Sequence, residues 1–207
     1  DSGVEFKNGS YVDMGSNLTL DIGTTNMSIC AWFRFSGTPP DWHAVLVHKA
    51  VFVAPRHGYI LCVRGNLDPG NVGKPLWWMG LGTNDGIHLF GTSRINDGKW
   101  HHLVGTADRK GMMRLYRDGI LESEMSILDK QKENEDNASS FNVGGEKNSR
   151  TLADGAMDEV ALFRTALAPE DVAVIYERGL ASALGFRAVS PLAKTTTVWG
   201  RLKDTHR

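Results

Sequence analysis

The sequence predicts an all-β fold: a two-sheet antiparallel β-sandwich of jelly-roll type with one short C-terminal helix. Three observations carry this. Apolar residues recur with period two in several short runs, as in strands that bury one face. Turn signals part those runs about every 8–12 residues, the spacing of a sandwich. The 23 glycines are spread along the chain rather than clustered, which suits many turns.

The clearest alternation runs from Met27 to Phe35. Ile29, Ala31, Phe33 and Phe35 fall on one face, and Ser28, Cys30, Trp32 and Arg34 on the other. Tyr59 to Arg64 is a second run of this type. Leu76 to Leu81 and Ile87 to Phe90 flank Thr83-Asn84-Asp85-Gly86, whose Asp-Gly step favours a hairpin. Trp100 to Ala107 and Met112 to Arg117 flank Asp108-Arg109-Lys110-Gly111, a second hairpin, and Asp118-Gly119 turns the chain again. Phe141 to Gly144 and Ala156 to Phe163 read as late strands, and Asp129 to Ser140, charged and polar, as an exposed loop. The one helix begins at Pro169, where a missing N–H is harmless. Glu170 and Asp171 suit its positive end, Val172, Ile175 and Tyr176 make its apolar stripe, and Gly179 ends it. Residues 1–183 are read as one sandwich domain. Residues 184–207 lose the period and are read as a tail packed on it or leading to another module.

Composition narrows the function. At 207 residues, the chain fits one large β domain of about 200–250 residues. With 23 basic and 24 acidic residues and no basic stripe, nucleic acid is not an expected partner. No apolar run approaches the ~20 residues of a membrane helix, so no membrane insertion is expected. The sequence opens at Asp1 in what reads as folded chain, and an exported protein with its leader removed is the expectation. Cys30 and Cys62, the only cysteines, each sit in an apolar run. A disulfide between neighbouring strands and two buried thiols are both open, since spacing alone does not decide. Four Asn-x-Ser/Thr triplets, at Asn8, Asn17, Asn26 and Asn137, matter only in a eukaryotic secretory route and are read as chance.

Three segments recur in a recognisable order. The first is Val4-Glu5-Phe6-Lys7-Asn8-Gly9-Ser10-Tyr11-Val12 with Met27-Ser28-Ile29-Cys30-Ala31-Trp32-Phe33. The second is Asn96-Asp97-Gly98-Lys99-Trp100-His101-His102-Leu103-Val104 with Leu115-Tyr116-Arg117-Asp118-Gly119. The third is Asp154-Gly155-Ala156-Met157-Asp158-Glu159-Val160-Ala161-Leu162-Phe163 with Ala166-Leu167-Ala168-Pro169-Glu170-Asp171-Val172. Together, from about Val4 to Gly179, they resemble the laminin-G-like jelly-roll domains of the concanavalin A-like lectin and glucanase superfamily. The resemblance implies a secreted or cell-surface setting, often in bacterial multi-domain proteins that touch polysaccharides, and relatives among carbohydrate-binding modules, pentraxins and adhesion modules. Pentraxins also carry a strand cysteine at the place of Cys30. Their partner cysteine, near the segment matching Trp100-His101-His102, has no counterpart here, so the resemblance does not extend to that disulfide or to ring assembly.

The resemblance also implies a structural calcium between the first strand and a late aspartate. Asp158 matches that aspartate by position, and Asn8 and Gly9 match the first-strand turn, with backbone oxygens and water completing a shell of about 6–8 ligands. The ion is expected to brace the sheets rather than touch a ligand. Local capping by Asp158 is the alternative. His101 and His102 are adjacent in a strand and so point to opposite faces; they are read as structural. A sugar site needs a flat aromatic platform and a few directed polar groups. Trp42 and His43 follow the turn-like Thr38-Pro39-Pro40-Asp41 and are candidates for a binding rim. Of Trp77 and Trp78, one faces the core and the other outward. Trp32 with Arg34 is a candidate for the open face of a sheet. Core packing is the alternative for each tryptophan, and Trp100 is assigned to the core. Glu122-Ser123-Glu124, placed in a turn, and Glu133-Asn134-Glu135-Asp136, placed in a solvated run, lack the facing carboxylate pair of a glycosidase. The expected function is therefore a non-catalytic carbohydrate-binding module of an exported protein, with a structural calcium and a glycan or glycosylated surface as partner. The alternatives are a protein-binding adhesion or scaffold module and a divergent glycoside hydrolase.

Overall fold

A computed structural model describes residues 3–7, 9–146, 150–152 and 154–185. The expected tail thus falls, from residue 186 on, outside the described residues. In chain order the strands are β1 (Val4–Phe6), β2 (Val12–Asp13), β3 (Met27–Ser36), β4 (His43–Val51), β5 (His57–Arg64), β6 (Pro75–Met79), β7 (Ile87–Phe90), β8 (Asp97–Ala107), β9 (Met112–Arg117), β10 (Ile120–Ser126), β11 (Asn142–Val143) and β12 (Gly155–Phe163). Helices α1 (Pro169–Arg178) and α2 (Leu180–Ala183) follow. The strands form two antiparallel six-stranded sheets, ordered β1-β12-β3-β8-β9-β10 and β2-β11-β4-β5-β6-β7. This is the expected sandwich, with the chain passing between the sheets several times.

The inner faces meet in one core that includes Phe33, Leu46, Leu61, Trp77, Met79, Leu103 and Leu115. Trp77 has no exposed surface and donates its indole N–H to the Thr106 carbonyl of the opposite sheet at 3.2 Å. Gly105 makes room for that ring, since a Cβ there would lie 2.5 Å from it. The hairpins fall where the turn residues placed them. At the β9–β10 turn, Asp118 and Gly119 both take positive φ, 51° and 79°, as a tight hairpin requires.

Helix α1 lies on the outer face of the first sheet. The Asp171 carboxylate accepts from the Ala168 N–H at its start, and Gly179, at φ 76°, ends it. Val172 buries against Cys30, Val104 and Tyr116, and Tyr176 stacks on Trp32 with centroids 5.5 Å apart.

Several expectations are decided or corrected by the structure. Cys30 and Cys62 are buried free thiols, one beneath α1 and one on the outer face of the opposite sheet, and burial pushes both up to about 12. Trp100 is not core: it is 40% exposed, because its outward position opposite Arg34 on β3 is left uncovered by the helix. Glu122-Ser123-Glu124 is not a turn but part of β10, with Glu122 paired to Arg117 at 2.6 Å and Glu124 to Arg114 at 2.9 Å. His43, after the turn-like segment, opens β4. The polar loop before β11 is not uniformly solvated. Glu135 is 1% exposed, and its carboxylate accepts from the Gly58 N–H at 2.7 Å.

Candidate functional site

Among the described residues, no helix lies on the second sheet's outer face. Register sets what it presents. His48, Ile60, Trp78 and His88 are direct cross-strand neighbours from β4 to β7, and Val45, Cys62, Leu76 and Phe90 form the next row. His43 and Arg64 pair at the start of a third. Successive side chains of a strand alternate faces, so Trp78 looks out from the sheet while Trp77 fills the core. A groove of about 480 Å³ lies on this face. Ile60, Cys62, Leu76 and Trp78 make an apolar floor, and Trp42, His43, Phe52, Arg56, Asp85, His88 and Arg150 complete the lining with Arg64.

Loops build the walls. After β4 the chain folds back so that Phe52 sits 5.6 Å from the Trp78 ring and 5.8 Å from His48, with the Arg150 guanidinium 5.6 Å over Phe52. Arg56 donates to the Asp85 carbonyl at 3.1 Å and its carboxylate at 3.0 Å. The Trp78 indole N–H donates to the same carbonyl at 3.2 Å, fixing the ring's orientation. At the other end Trp42 is 45% exposed and stands over Arg64 at 5.4 Å. Its loop is tied down, because Trp42 and Pro39 carbonyls accept from the Gly65 and Asn66 N–H groups at 2.8 and 3.0 Å.

The groove's charges are matched within the protein. Arg56 pairs with Asp85 at 3.0 Å, Arg64 with Asp68 at 2.9 Å, and Arg150 with Glu146 at 2.9 Å and Asp41 at 3.5 Å. The histidines are neutral at physiological pH. Burial first, then the charges of Arg150 and Arg64, hold His43 down at about 3. Burial, then Arg150 and Lys49, holds His48 at about 4, and burial also lowers His88. His43 is buried, and neither ring nitrogen has a hydrogen-bond partner among the described residues.

The structure brings Trp42, His43 and Trp78 together in the groove. Trp77 is in the core, and Arg34 lies on the opposite sheet's outer face, 5.5 Å over Trp100. Phe52, Arg56, Arg64, Asp85, His88 and Arg150 were not predicted. Alternation sets Arg64 on the face away from Tyr59, Leu61 and Val63, and His88 on the face away from Ile87 and Leu89, a signal that could have found both. Arg150 arrives from a distant loop and leaves no local signal.

Asp158 and Gly9, expected at a calcium, stand apart along β1. Val4 pairs with Met157 and Phe6 with Gly155, so Asp158 lies past one end of β1 and Gly9 past the other. The Asp158 carboxylate accepts from the Glu159 N–H at 2.9 Å. Asn8 lies outside the described residues. Among the described residues no group of three or more His, Cys, Asp or Glu is placed to hold a metal, and no helix is long and apolar enough to cross a membrane.

A laminin-G-type family model, described as concanavalin A-like lectin/glucanases superfamily, matches residues 6–173. No curated protein matches the chain. Among solved structures, the ligand-binding domain of botulinum neurotoxin serotype D, in complex with N-acetylneuraminic acid, is similar with a TM-score of 0.62 and 18% identity, over 83% of this chain and 40% of that one. The binding domain of Paraclostridial Mosquitocidal Protein 1 gives 0.60 and 15%, over 84% and 45%. A botulinum neurotoxin type C structure, described by the dependence of cell entry on two ganglioside molecules, gives 0.58 and 13%, over 86% and 45%. The chain thus spans less than half the length of these structures, and at such identity the likeness is one of fold.

Proposed function

The chain belongs to the concanavalin A-like lectin/glucanases superfamily, and on that footing we propose that it is a non-catalytic carbohydrate-binding module of an exported protein, holding a glycan or glycosylated surface in the groove of the second sheet. One observation carries the reading. Exposed Trp42 and Phe52 line the same groove as fixed arginine donors, over a floor that includes Trp78. Sugar C–H patches pack on aromatic faces while their hydroxyls need directed polar partners, and sites of this type combine the two. The fixed orientation of Trp78 and the tethering of the Trp42 loop reduce the ordering cost of binding.

Binding is favoured over hydrolysis by the carboxylates. Asp85 is the one acid among the groove's lining residues, and two-carboxylate glycoside hydrolysis needs a pair about 5–9.5 Å apart across the bond. Glu122 and Glu124, on the other sheet's edge strand, are engaged by arginines. Export is supported by the fold's likeness to toxin binding domains.

The test is a screen of the folded domain against a broad glycan array, followed by titration of the best ligand into the Trp42→Ala variant. Capture of one glycan class, weakened about tenfold or more by losing one anchoring aromatic, is the expected result. A folded domain that captures none, or a Trp42→Ala variant that binds as tightly as the parent, would overturn the assignment.

A further inference from the structure

Away from the glycan groove, an apolar cleft of about 430 Å³ opens between the two sheets along β12. Val12, Met14, Leu20, Val160 and Leu162 line it together with the buried Met157. Val12 and Met14 are exposed, and Val160 and Leu162 pack only partly buried against the core.

The cleft runs beside an open strand edge. β1 pairs with β12 only from Gly155 to Met157. From Asp158 to Phe163, β12 has β3 on one side and no strand on the other among the described residues. Such an edge presents unpaired N–H and C=O groups, a template for a further strand. A strand added there would lay alternate side chains over the cleft.

The chain's own continuation sets out from this place. The Leu180 N–H donates to the Glu159 carboxylate at 2.9 Å, and the described residues end five positions later, at Gly185. Beyond it, Thr195-Thr196-Thr197-Val198-Trp199 is a run of β-branched and aromatic residues closed by Gly200, the types that favour strands. The intervening residues 186–194 span up to about 30 Å when extended, and the open stretch of β12 is about 20 Å long. Charge agrees with this occupant. Asp158 and Glu159 are the charged residues lining the cleft. Their carboxylates accept backbone N–H groups and form no ion pair among the described residues. Lys194 and Arg201 flank the run, so a strand laid in either direction brings a cation toward them.

We propose that residues 195–199 add to the open edge of β12 as a further strand of the first sheet, with Trp199 seated in the apolar cleft. The tail then closes an edge that would otherwise pair with other chains.

The experiment uses the intact chain, confirmed monomeric by light scattering. Amide hydrogen exchange is followed along β12 in the parent and in Thr197→Pro, which removes a strand donor and disfavours pairing. Contacts of the Trp199 ring are read by NMR. Ring contacts to the Val160 and Leu162 methyl groups are expected. The outer-edge amides between Asp158 and Phe163 should be protected in the parent and exchange about tenfold faster or more in Thr197→Pro. Amides between β3 and β8 should stay protected in both, showing that the sandwich is intact. Fast exchange along that edge in the parent, with or without the ring contacts, would overturn the proposal. Protection that Thr197→Pro leaves unchanged would overturn it too, since another segment would then cover the edge. Ring contacts found only between labelled and unlabelled chains, in a dimer, would assign the cleft to a second copy instead.

Discussion

The two outer faces of the sandwich are built from the same alternating strand pattern and end up differently. On the first sheet, Cys30, Val104 and Tyr116 are closed off by Val172 of α1, and Trp32 is stacked by Tyr176 and lies 5.2 Å from His102. On the second, no helix arrives among the described residues, and loops from both strand ends raise walls of Trp42, Phe52, Arg56 and Arg150 around an apolar floor. An outward aromatic residue is therefore not by itself a ligand contact. What decides is how far the protein's own chain covers it: Trp78 is 2% exposed beside Phe52, whereas Trp42 and Phe52 are 45% and 37% exposed on the second face.

Four substitutions probe this contrast. The largest effect is expected for Val172→Asp, which buries an unpaired charge between α1 and the first sheet. It should remove about 3 kcal/mol or more of stability in denaturant unfolding, with glycan affinity unchanged in the fraction that stays folded. Unchanged stability would mean that the helix does not close that face.

Glu135 fastens the groove side. Its carboxylate holds Gly58, which sits at φ 98° where a Cβ would lie 2.1 Å from the Lys49 carbonyl, two residues from Arg56 of the wall. Burial raises its acid from 4.5 to about 7, against smaller opposing effects of backbone N–H groups, Arg109 and His57. The folded state thus keeps a proton that the unfolded chain releases between about pH 4.5 and 7. This group's contribution to stability is full below pH 4.5 and is lost as pH rises through 7. Glu135→Gln should flatten that loss, leaving the variant about 1–3 kcal/mol more stable than the parent at pH 8 relative to their difference at pH 4.5. Parallel stability-versus-pH curves would contradict it.

Trp42→Ala should change stability by less than about 0.5 kcal/mol, as at an exposed site, while weakening glycan binding about tenfold. The smallest effect is expected for Arg34→Ala. It breaks the exposed stack on Trp100 and should leave glycan affinity within about twofold, since exposed cation–π pairs contribute roughly 0.5–1 kcal/mol and this one lies on the other face. A large affinity loss there, measured by calorimetry, would move the site to the first sheet.

The fold was legible wherever period two survived. Met27 to Phe35 and the hairpins at Asp108–Gly111 and Asp118-Gly119 stand as read. β4 escaped because its register shifts between Val45 and Val47, breaking the alternation, and because Lys49 points inward to pair with Asp21 at 2.9 Å. β10 escaped through its bulge between Leu121 and Ser123 and its polar, exposed edge position. The site was half legible. Trp42 and His43 were drawn out by the turn before them, and Trp78 by its adjacency to Trp77. Arg150 and Phe52 come from loops whose paths are set by tertiary packing. Trp100 was misread because a large aromatic residue in a strand is usually covered, and only the reach of α1 decides that here.

The second sheet's outer face is the proposed binding face. Its most direct test follows the tryptophan indole N–H resonances by NMR during glycan titration, with signals assigned by substitution. Trp42 and Trp78 should shift with a common saturation curve, while Trp32, Trp77 and Trp100 stay in place. Shifts confined to Trp32 and Trp100 would contradict the claim and place binding on the opposite face.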